Sequence, residues 1–402
     1  MEDFFKKRYY LIFISSILGP MSTNSLIPFF EELRVHFGLE VIAQVSMIFF
    51  FYILPFAIFQ LFTGTYSDIV DKKKVVYFGY IIFLTGQIIS LIAVLTRNYF
   101  LFFFAYLTQG IGFSFINPSI LAIISEISPN NKKGFLMGIY SAAAGIGITI
   151  GGLISRLLGT FNGGWMYLFI IMPIFCIIGL VAFIYSLKNY TFCVNSKYKR
   201  EENEKKLNFA IKSTLNHLRE GINLRIILLG FLGFFCFYSI ITLSNTVNEL
   251  IRITFKDLSD IEVSTFVSTL LIIGGITGII VGPLSGLFLK KIKPQIMMIA
   301  GYSILSLIIL IFYITSILYF ILFYLFLAIG SSIIWPALFK VAMDVDPQKR
   351  GINSSIVNSL RFFGYSLVGP FYLIFGIPNV YFIVMTFALS GIIIVLIISK
   401  QI

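Results

Sequence analysis

One face of a long apolar stretch, residues 98–124, carries side chains that could hold a small organic molecule. Tyr106, Gln109, Phe113 and Asn117 follow one another at spacings of three, four and four residues, which places them on one side of a helix. Uncharged amides and aromatic rings suit a site with an apolar wall and a few orienting hydrogen bonds. The alternative for any single amide is a hydrogen bond between helices, which is common inside membranes. For the stripe as a set we favour the binding site.

A second stripe begins in the apolar stretch 223–248. It consists of Tyr238, Thr242, Asn245 and Glu249, at spacings of four, three and four residues. The same two interpretations apply to its amide and hydroxyl groups. Glu249 is the only carboxylate on either stripe, so it is a candidate for coupling the site to the uptake and release of a proton.

A positive charge lies inside a third apolar stretch, 352–375. Arg361 is nine residues from its start, or ~13 Å along a helix with a rise of 1.5 Å per residue. A charge at that depth in a membrane is costly and marks a functional site by default. Arg361 could bind an anionic substrate or pair with a neighbouring helix, and both remain open. Asp344 is the second coupling candidate, although it could instead pair with Lys340, four residues earlier.

Residue types that serve catalysis or metal binding are scarce. The only histidines are His36 and His217, no metal or nucleotide motif occurs, and the three cysteines have no metal-ligand spacing. Apart from the gap 188–222, the segments between apolar stretches are too short to hold a catalytic domain. We therefore expect neither an enzyme nor a bound metal or cofactor.

The composition identifies the environment of these residues. The chain is 58% hydrophobic and 12% charged, whereas an ordinary soluble domain carries about 25% charged residues. A helix that crosses the hydrocarbon layer of a membrane needs ~20 apolar residues, and the chain contains many apolar runs of about this length. The runs are continuous rather than alternating, so they predict helices and not barrel strands. The sequence predicts an all-α membrane protein with twelve transmembrane helices, at 9–30, 41–64, 75–96, 98–124, 135–158, 164–187, 223–248, 263–289, 295–315, 317–341, 352–375 and 379–399.

Basic residues predict the orientation of these helices, since Lys and Arg accumulate in cytoplasmic loops. If the N-terminus is cytoplasmic, the inner segments carry 23 of the 30 basic residues. We therefore expect a multi-pass protein of the cell membrane with both termini in the cytoplasm. The net charge of +12 is dispersed through loops, which argues against nucleic acid as a partner. The predicted outer segments contain only Arg34, Arg97, Arg156, Arg252 and Lys256.

The two halves of the chain resemble each other. A shift of 218 residues aligns 110–129, "GIGFSFINPSILAIISEISP", with 328–347, "AIGSSIIWPALFKVAMDVDP", so that one glycine and two prolines coincide. An ordered series of such matches indicates an internal duplication, with two six-helix bundles related by an axis along the membrane normal. The predicted divisions are an N-terminal bundle at 1–187, a cytoplasmic linker at 188–222 and a C-terminal bundle at 223–402.

Three motifs carry a family resemblance. Gly64 is followed four residues later by Asp68 and then by a basic cluster; "GGWMYLF" stands at 163–169, and "GINSSIVNSLRFFGYSLVGP" at 351–370. Over nearly its whole length the chain resembles the major facilitator superfamily, and nearest in pattern are its drug-exporter branches. The basic cluster is Lys72, Lys73 and Lys74.

The resemblance implies the fold of that superfamily, with two pseudo-symmetric bundles that rock about a central site in alternating access. It implies that Asp68 lies against the second half near the start of span eleven, where it helps to close an inner gate with Gly64 and the three lysines. It also implies that spans one, four, seven and ten line the cavity. The predicted cavity residues are Asn24, Tyr106, Gln109, Phe113, Asn117, Tyr238, Thr242, Asn245, Trp335 and Arg361.

Two departures from the family pattern weaken the interpretation that the protein is a proton-driven drug antiporter. Tyr106 stands where the drug-exporter pattern has arginine, and Ile148 stands where antiporter members have proline. We expect a secondary active transporter for a small organic solute, with efflux of amphipathic compounds favoured. The alternatives are a nutrient or organic-anion uptake carrier, a uniporter, or a non-transporting channel or sensor. The expected partners are the lipid bilayer, the solute and protons as candidate coupling ion, with the chain acting as a monomer.

Overall fold

The computed structural model describes residues 8–69, 71–128, 133–188, 190, 219, 223–345 and 350–399, and all regular elements in these ranges are helices. The predicted linker 188–222 lies almost entirely outside them. The first half contains α1 Phe13–Asn24, α2 Phe30–His36, α3 Ile42–Ile69, α4 Lys72–Leu95, α5 Tyr99–Ile127, α6 Lys133–Leu158 and α7 Leu168–Ser186. The second half contains α8 Leu224–Thr254, α9 Asp260–Phe288, α10 Pro294–Ser306, α11 Ile317–Asp344, α12 Arg350–Ser366 and α13 Val368–Ser399.

Several helices begin at residues that satisfy their free backbone N–H groups. Asn98 and Asn223 cap α5 and α8 by accepting hydrogen bonds from backbone N–H groups three residues on. Ser259 and Glu262 form a reciprocal capping box at the start of α9. These polar residues stand directly before apolar runs, so the helix starts follow from local sequence.

Ten described helical segments are long and apolar enough to cross a membrane, and Ala142–Leu158 is a shorter apolar helix. The helical class of the protein is therefore confirmed, and the count of twelve spans remains a prediction. The non-helical break at Gly376 and Ile377 inside α13 lies in the gap predicted between spans eleven and twelve. The interruption between α12, which ends at Ser366, and α13, which begins at Val368, was not predicted.

Helices pack in a regular set of pairs. In the first half, α5 packs against α3 and α4, while α1 packs against α6; in the second half, α11 packs against α9 and α10, while α8 packs against α12. Contacts between the halves join α6 to α9, and α3 to α12 and α13. The core therefore lies where these helices meet, and α13 also packs against α8 and α10.

Glycines set the distance between α6 and α9. A Cβ on Gly145 would lie 2.8 Å from the carbonyl oxygen of Gly275, and one on Gly152 would lie 3.1 Å from that of Ser268. Small residues let two membrane helices approach this closely. Farther along α9, no heavy atom of the described chain lies within 4 Å of a Cβ added at three glycines. These are Gly278, Gly282 and Gly286, toward the predicted inner side.

Candidate functional site

Arg361 lies inside a partial cage of aromatic rings in the second half. Its Cζ atom is 3.8 Å from the ring centroid of Trp335 on α11, 4.3 Å from that of Phe237 on α8 and 4.4 Å from that of Phe362. Trp335 is backed by Phe339, with ring centroids 4.3 Å apart. The negative faces of such rings attract a guanidinium, by about 0.5–2 kcal/mol per contact depending on solvation.

Arg361 has no acidic partner among the described residues. It takes part in no ion pair and donates no hydrogen bond to any of them, and its Nε atom is buried without a partner. The residue as a whole is only partly buried, and its two terminal nitrogens are not among the buried atoms. Burying an unpaired charge at this depth is costly in free energy. The contacts with the aromatic rings offset only part of that cost.

The first half faces Arg361 with a hydrogen-bonded pair. The Tyr140 hydroxyl on α6 donates to Asn117 Oδ1 on α5 at 2.8 Å and also lies 3.1 Å from the Asn117 carbonyl oxygen. This hydroxyl and the Arg361 guanidinium are near enough to interact electrostatically. Both Tyr140 and Asn117 are partly exposed.

These side chains lie at similar depths. By residue count from the observed helix ends on the predicted inner side, which are Ile127, Lys133, Leu224, Asp344 and Arg350, they are ~10–20 Å into their helices at 1.5 Å per residue. Side chains from α5, α6, α8, α11 and α12 therefore converge near the middle of the predicted bilayer. We name the group the Arg361 site, which consists of Asn117, Tyr140, Phe237, Trp335, Arg361 and Phe362.

An aromatic row connects the two halves beside this site. Phe113 contacts Phe56 with ring centroids 5.4 Å apart, and Phe56 contacts Phe362 at 4.8 Å. Phe113 is buried, and its ring occupies the space that a Cβ on Gly19 of α1 would need, at 2.5 Å. The row gives the Arg361 site a continuous apolar boundary.

The rest of the first stripe lies deeper in the first half. Gln109 is 1% exposed and joins three helices, with Oε1 accepting from Ser22 at 3.3 Å and from Gln87 at 3.4 Å, and Nε2 donating to the Gly86 carbonyl oxygen at 3.4 Å. Tyr106 is buried against Phe102, with ring centroids 5.0 Å apart. The stripe is therefore divided, with only Asn117 at the Arg361 site.

Asn24 makes local contacts in this conformation. Its Nδ2 atom donates to the Pro20 carbonyl oxygen at 2.8 Å, one turn earlier in α1. The side chain is 6% exposed. Asn24 is therefore separate from the Arg361 site in the described state.

The second stripe is buried and poor in hydrogen bonds. The Tyr238 hydroxyl, Thr242 Oγ1 and both polar atoms of the Asn245 side chain are buried without a hydrogen-bond partner. Leaving such a group unsatisfied costs about 1–3 kcal/mol, so this row lowers the stability of the described state. Its place in a substrate cavity remains a prediction. Phe237, which precedes the stripe, reaches the Arg361 site instead.

The two coupling candidates have different surroundings. Glu249 is partly buried, and its Oε2 atom accepts a hydrogen bond from the Tyr372 hydroxyl of α13. Asp344 is exposed at the end of α11. The suggested pair of Lys340 with Asp344 is wrong, because Lys340 donates to the Leu289 carbonyl oxygen at 3.1 Å and no ion pair joins it to Asp344 among the described residues.

The gate motif is described only in part, since the surroundings of Gly64 and the side chain of Asp68 are not described. Lys72 forms a 3.2 Å ion pair with Glu126 of α5. Lys73 Nζ donates to the carbonyl oxygen of Leu187 at 2.6 Å and also to that of Tyr190. These contacts brace the first half, and Lys74 is exposed.

Three members of the Arg361 site were not predicted from the sequence. Tyr140 lies on a span that the resemblance does not assign to the cavity, and Phe237 and Phe362 are two of 45 phenylalanines. The only local signal was their position beside residues already selected, Tyr238 and Arg361. Nothing in the spacing distinguishes an aromatic residue that faces a cavity from one that faces lipid.

Comparison with known proteins identifies the family. The model of the Major Facilitator Superfamily matches residues 12–370. The chain is 28% identical to the "Aminotriazole resistance protein" of Saccharomyces cerevisiae over 45% of this chain and 34% of that protein. It is 29% identical to the "Riboflavin transporter RibZ" of Clostridioides difficile over 36% of this chain and 30% of that one.

A third relative is "Multidrug resistance protein 3" of Bacillus subtilis, 30% identical over 32% of this chain and 23% of that protein. In all three comparisons the aligned stretch spans about a third of the relative's length or less. The family model, in contrast, extends over most of the chain and includes every residue of the Arg361 site. The chain therefore belongs to the Major Facilitator Superfamily, a family of membrane transporters.

Proposed function

We propose that the protein is a secondary active transporter that moves a small organic solute by alternating access. The observation that carries this proposal is a difference between the two ends of the α6–α9 interface. The helices α6 and α9 touch through Gly145 and Gly152, whereas a Cβ added at Gly278, Gly282 or Gly286 of α9 would meet no atom of another helix within 4 Å in the described chain. A site between two halves, closed on one side and approachable from the other, is one state of an alternating-access cycle.

The architecture that would support this cycle is two six-helix bundles, with twelve spans in all. The repeated pairings favour it, because α3–α5, α4–α5 and α1–α6 in the first half correspond to α9–α11, α10–α11 and α8–α12 in the second. The contacts between the halves correspond as well. The α6–α9 contact in one direction has its counterpart in the α12–α3 contact in the other. Such a correspondence is expected if the bundles at 1–187 and 223–402 arose by duplication.

The outer side is held together by polar contacts between the halves. Asn248 of α8 donates from Nδ2 to the carbonyl oxygens of Pro28 at 2.9 Å and Ile27 at 3.3 Å. Arg252 supports Asn248 by donating to its Oδ1 at 3.0 Å, and is itself paired with Asp260 at 2.5 Å. These contacts would have to break for the site to open outward.

The favoured direction is efflux of amphipathic compounds. It is supported by the names of relatives that confer resistance to aminotriazole or to several drugs and by the aromatic walls of the Arg361 site. The second candidate is an uptake carrier or uniporter for organic anions, which the unpaired charge of Arg361 favours. Protons are the proposed coupling ion, with Glu249 the better placed acid because it lies between α8 and α13.

The proposed setting is the cell membrane, with both termini cytoplasmic and the monomer as the transporting unit. The test is counterflow in proteoliposomes, using a radiolabelled solute chosen from a thermal-shift panel of amphipathic anions, neutral compounds and cations. Bound ligand stabilises the folded protein, so the panel ranks the candidates. Stimulation of uptake by unlabelled solute on the opposite side is expected of a carrier. A channel or a sensor would show none.

A further inference from the structure

We propose that the Arg361 site binds the anionic group of the solute, and that the solute is an organic anion with a planar apolar portion. This inference rests on the proposed transport function and names its substrate class. It comes from the charge and geometry of six side chains contributed by both halves.

The charge at the site has one sign. Arg361 is the only ionisable residue of the six that is charged at neutral pH, and no carboxylate of the described chain pairs with it. An amphipathic cation brought to this cavity would be repelled, whereas an anion would neutralise the one unpaired charge. The cost of holding Arg361 without a counterion would be recovered when the solute binds.

The rings around Arg361 leave its donors available. Rings attract a guanidinium through its faces, whereas its N–H donors point outward in the guanidinium plane, in a fork that matches a carboxylate. None of these donors is used by a described residue, and the terminal nitrogens are not buried. A carboxylate or sulfonate could therefore approach the edge without displacing Trp335, Phe237 or Phe362.

The wall on the first half offers a further donor. Because the Tyr140 hydroxyl donates to Asn117 Oδ1, the Asn117 amide is held with its oxygen occupied. Its Nδ2 group makes no hydrogen bond to a described residue and is not among the buried unsatisfied atoms. An anion held by Arg361 from one half and Asn117 from the other would favour a state in which the halves are close, as alternating access requires.

The aromatic walls define the remainder of the solute. Trp335, Phe237 and Phe362 are each partly exposed, so their edges are available to a ring or a conjugated chain attached to the anionic group. Aromatic pairs contribute about 0.5–1.5 kcal/mol beyond the area they bury. The site therefore fits an aromatic carboxylate better than a short hydrophilic anion such as acetate.

Tryptophan fluorescence tests this assignment directly, because the chain has two tryptophans and one of them, Trp335, touches Arg361. In a Trp165→Phe background the purified protein is titrated with three matched probes: 3-phenylpropanoate, 3-phenylpropanamide and 3-phenylpropylammonium. We expect saturable quenching by the anion and binding at least about tenfold tighter than that of the amide or the ammonium compound.

Three substitutions in the same background show which residue is responsible for the preference for the anion. Arg361→Gln should weaken anion binding by on the order of 10- to 100-fold and abolish the discrimination, while Arg361→Lys should retain part of it because the charge remains. Arg156→Gln is the matched control, since Arg156 is exposed and donates to Thr269 at 3.3 Å, away from the site. It should bind the anion as the background does.

Opposite results would overturn the assignment. These are no saturable quenching by the anion, equal binding of all three probes, or an anion preference that survives Arg361→Gln. If Arg361→Gln does not fold, as judged by thermal unfolding, the probe preference of the background and a severalfold weakening by Asn117→Ala decide the matter.

Counterflow separates this inference from the transport proposal. If the anion binds through Arg361 but is not exchanged across proteoliposomes, the site assignment holds and the transport function is wrong. If the amide or ammonium compound is exchanged and the anion is neither bound nor carried, transport holds and the anion assignment is wrong. Exchange of the anion that is lost in Arg361→Gln supports both.

Discussion

The side-chain amide of Asn248 donates a 2.9 Å hydrogen bond to the Pro28 carbonyl oxygen and thereby joins α8 to the segment that follows α1. Asn248 is fully buried, and its Oδ1 atom is occupied by Arg252. The bond therefore crosses from one half to the other at a point that excludes water. In the proposed transport cycle, the outer closure would depend on contacts of this kind.

Replacing Asn248 should favour outward opening. Asn248→Ala leaves two carbonyl oxygens and Arg252 without their partner, which costs the outward-closed state about 1–3 kcal/mol. The equilibrium between the outward-closed and outward-open states would then shift by roughly 5- to 150-fold toward the open one. Spin labels at Val35 and Ile253, both exposed and on the predicted outer side, should report longer distances. Asn379→Ala is the control, because the exposed Asn379 bonds only within its own helix. Unchanged distances in Asn248→Ala would remove it from the outer closure.

Asp68→Asn should loosen the inner gate. The family resemblance puts Asp68 near the start of span eleven, and losing ~1 kcal/mol of helix-terminus interaction shifts the resting state a few-fold toward inward-open. Labelling of introduced cysteines from the cytoplasmic side should increase. Asp71→Asn is the control, since Asp71 caps α4 through the Lys73 backbone at 3.0 Å and asparagine caps equally well. Wild-type labelling and transport in Asp68→Asn would mean that the motif only orients the helices.

Gln109→Ala distinguishes the two interpretations of the first stripe. Because Gln109 connects Ser22, Gln87 and Gly86, its loss should destabilise the folded protein by about 1–3 kcal/mol and lower the unfolding temperature in detergent. Thr108→Ala is the control, as Thr108 bonds only to Phe104 one turn away. Weakened solute binding with unchanged unfolding would instead place Gln109 at the substrate, as the stripe predicts.

Two glycines test the contact between α6 and α9. Gly145→Ala would bring a Cβ to 2.8 Å from the Gly275 carbonyl oxygen, and such overpacking costs about 1–3 kcal/mol. Gly278→Ala meets no atom within 4 Å in the described chain, so it should be neutral or raise stability through helix propensity. Thermal unfolding of the two variants compares them. Equal unfolding temperatures would show that the helices are not held this closely.

Proton coupling should depend on Glu249. The carboxylate accepts a hydrogen bond from Tyr372 across α8 and α13, so its protonation would alter a contact between helices. In proteoliposomes with an imposed pH gradient, Glu249→Gln should lose accumulation while counterflow remains, and the exposed Asp344 should tolerate substitution by asparagine. Accumulation that survives both substitutions excludes the two acids. Equilibration without dependence on the gradient in the wild type indicates a uniporter.

Much of the fold was predictable from the sequence because it depends on local properties. Apolar runs of membrane length, capping residues such as Asn98 and Ser259, and the match between the two halves require no knowledge of distant contacts. Arg361 could be proposed as a functional residue for the same reason, since a charge within an apolar run is visible along the chain.

The partners of each side chain were decided only by the tertiary structure. Helical spacing put Gln109 and Asn117 on one face, but α1 and α4 cover that face at Gln109 and leave it open at Asn117. Likewise Phe237 reaches Arg361 while Tyr238, its neighbour, is buried. The periodicity of a helix fixes which residues share a side, whereas the packing of helices from distant parts of the chain determines whether that side meets a cavity, another helix or lipid.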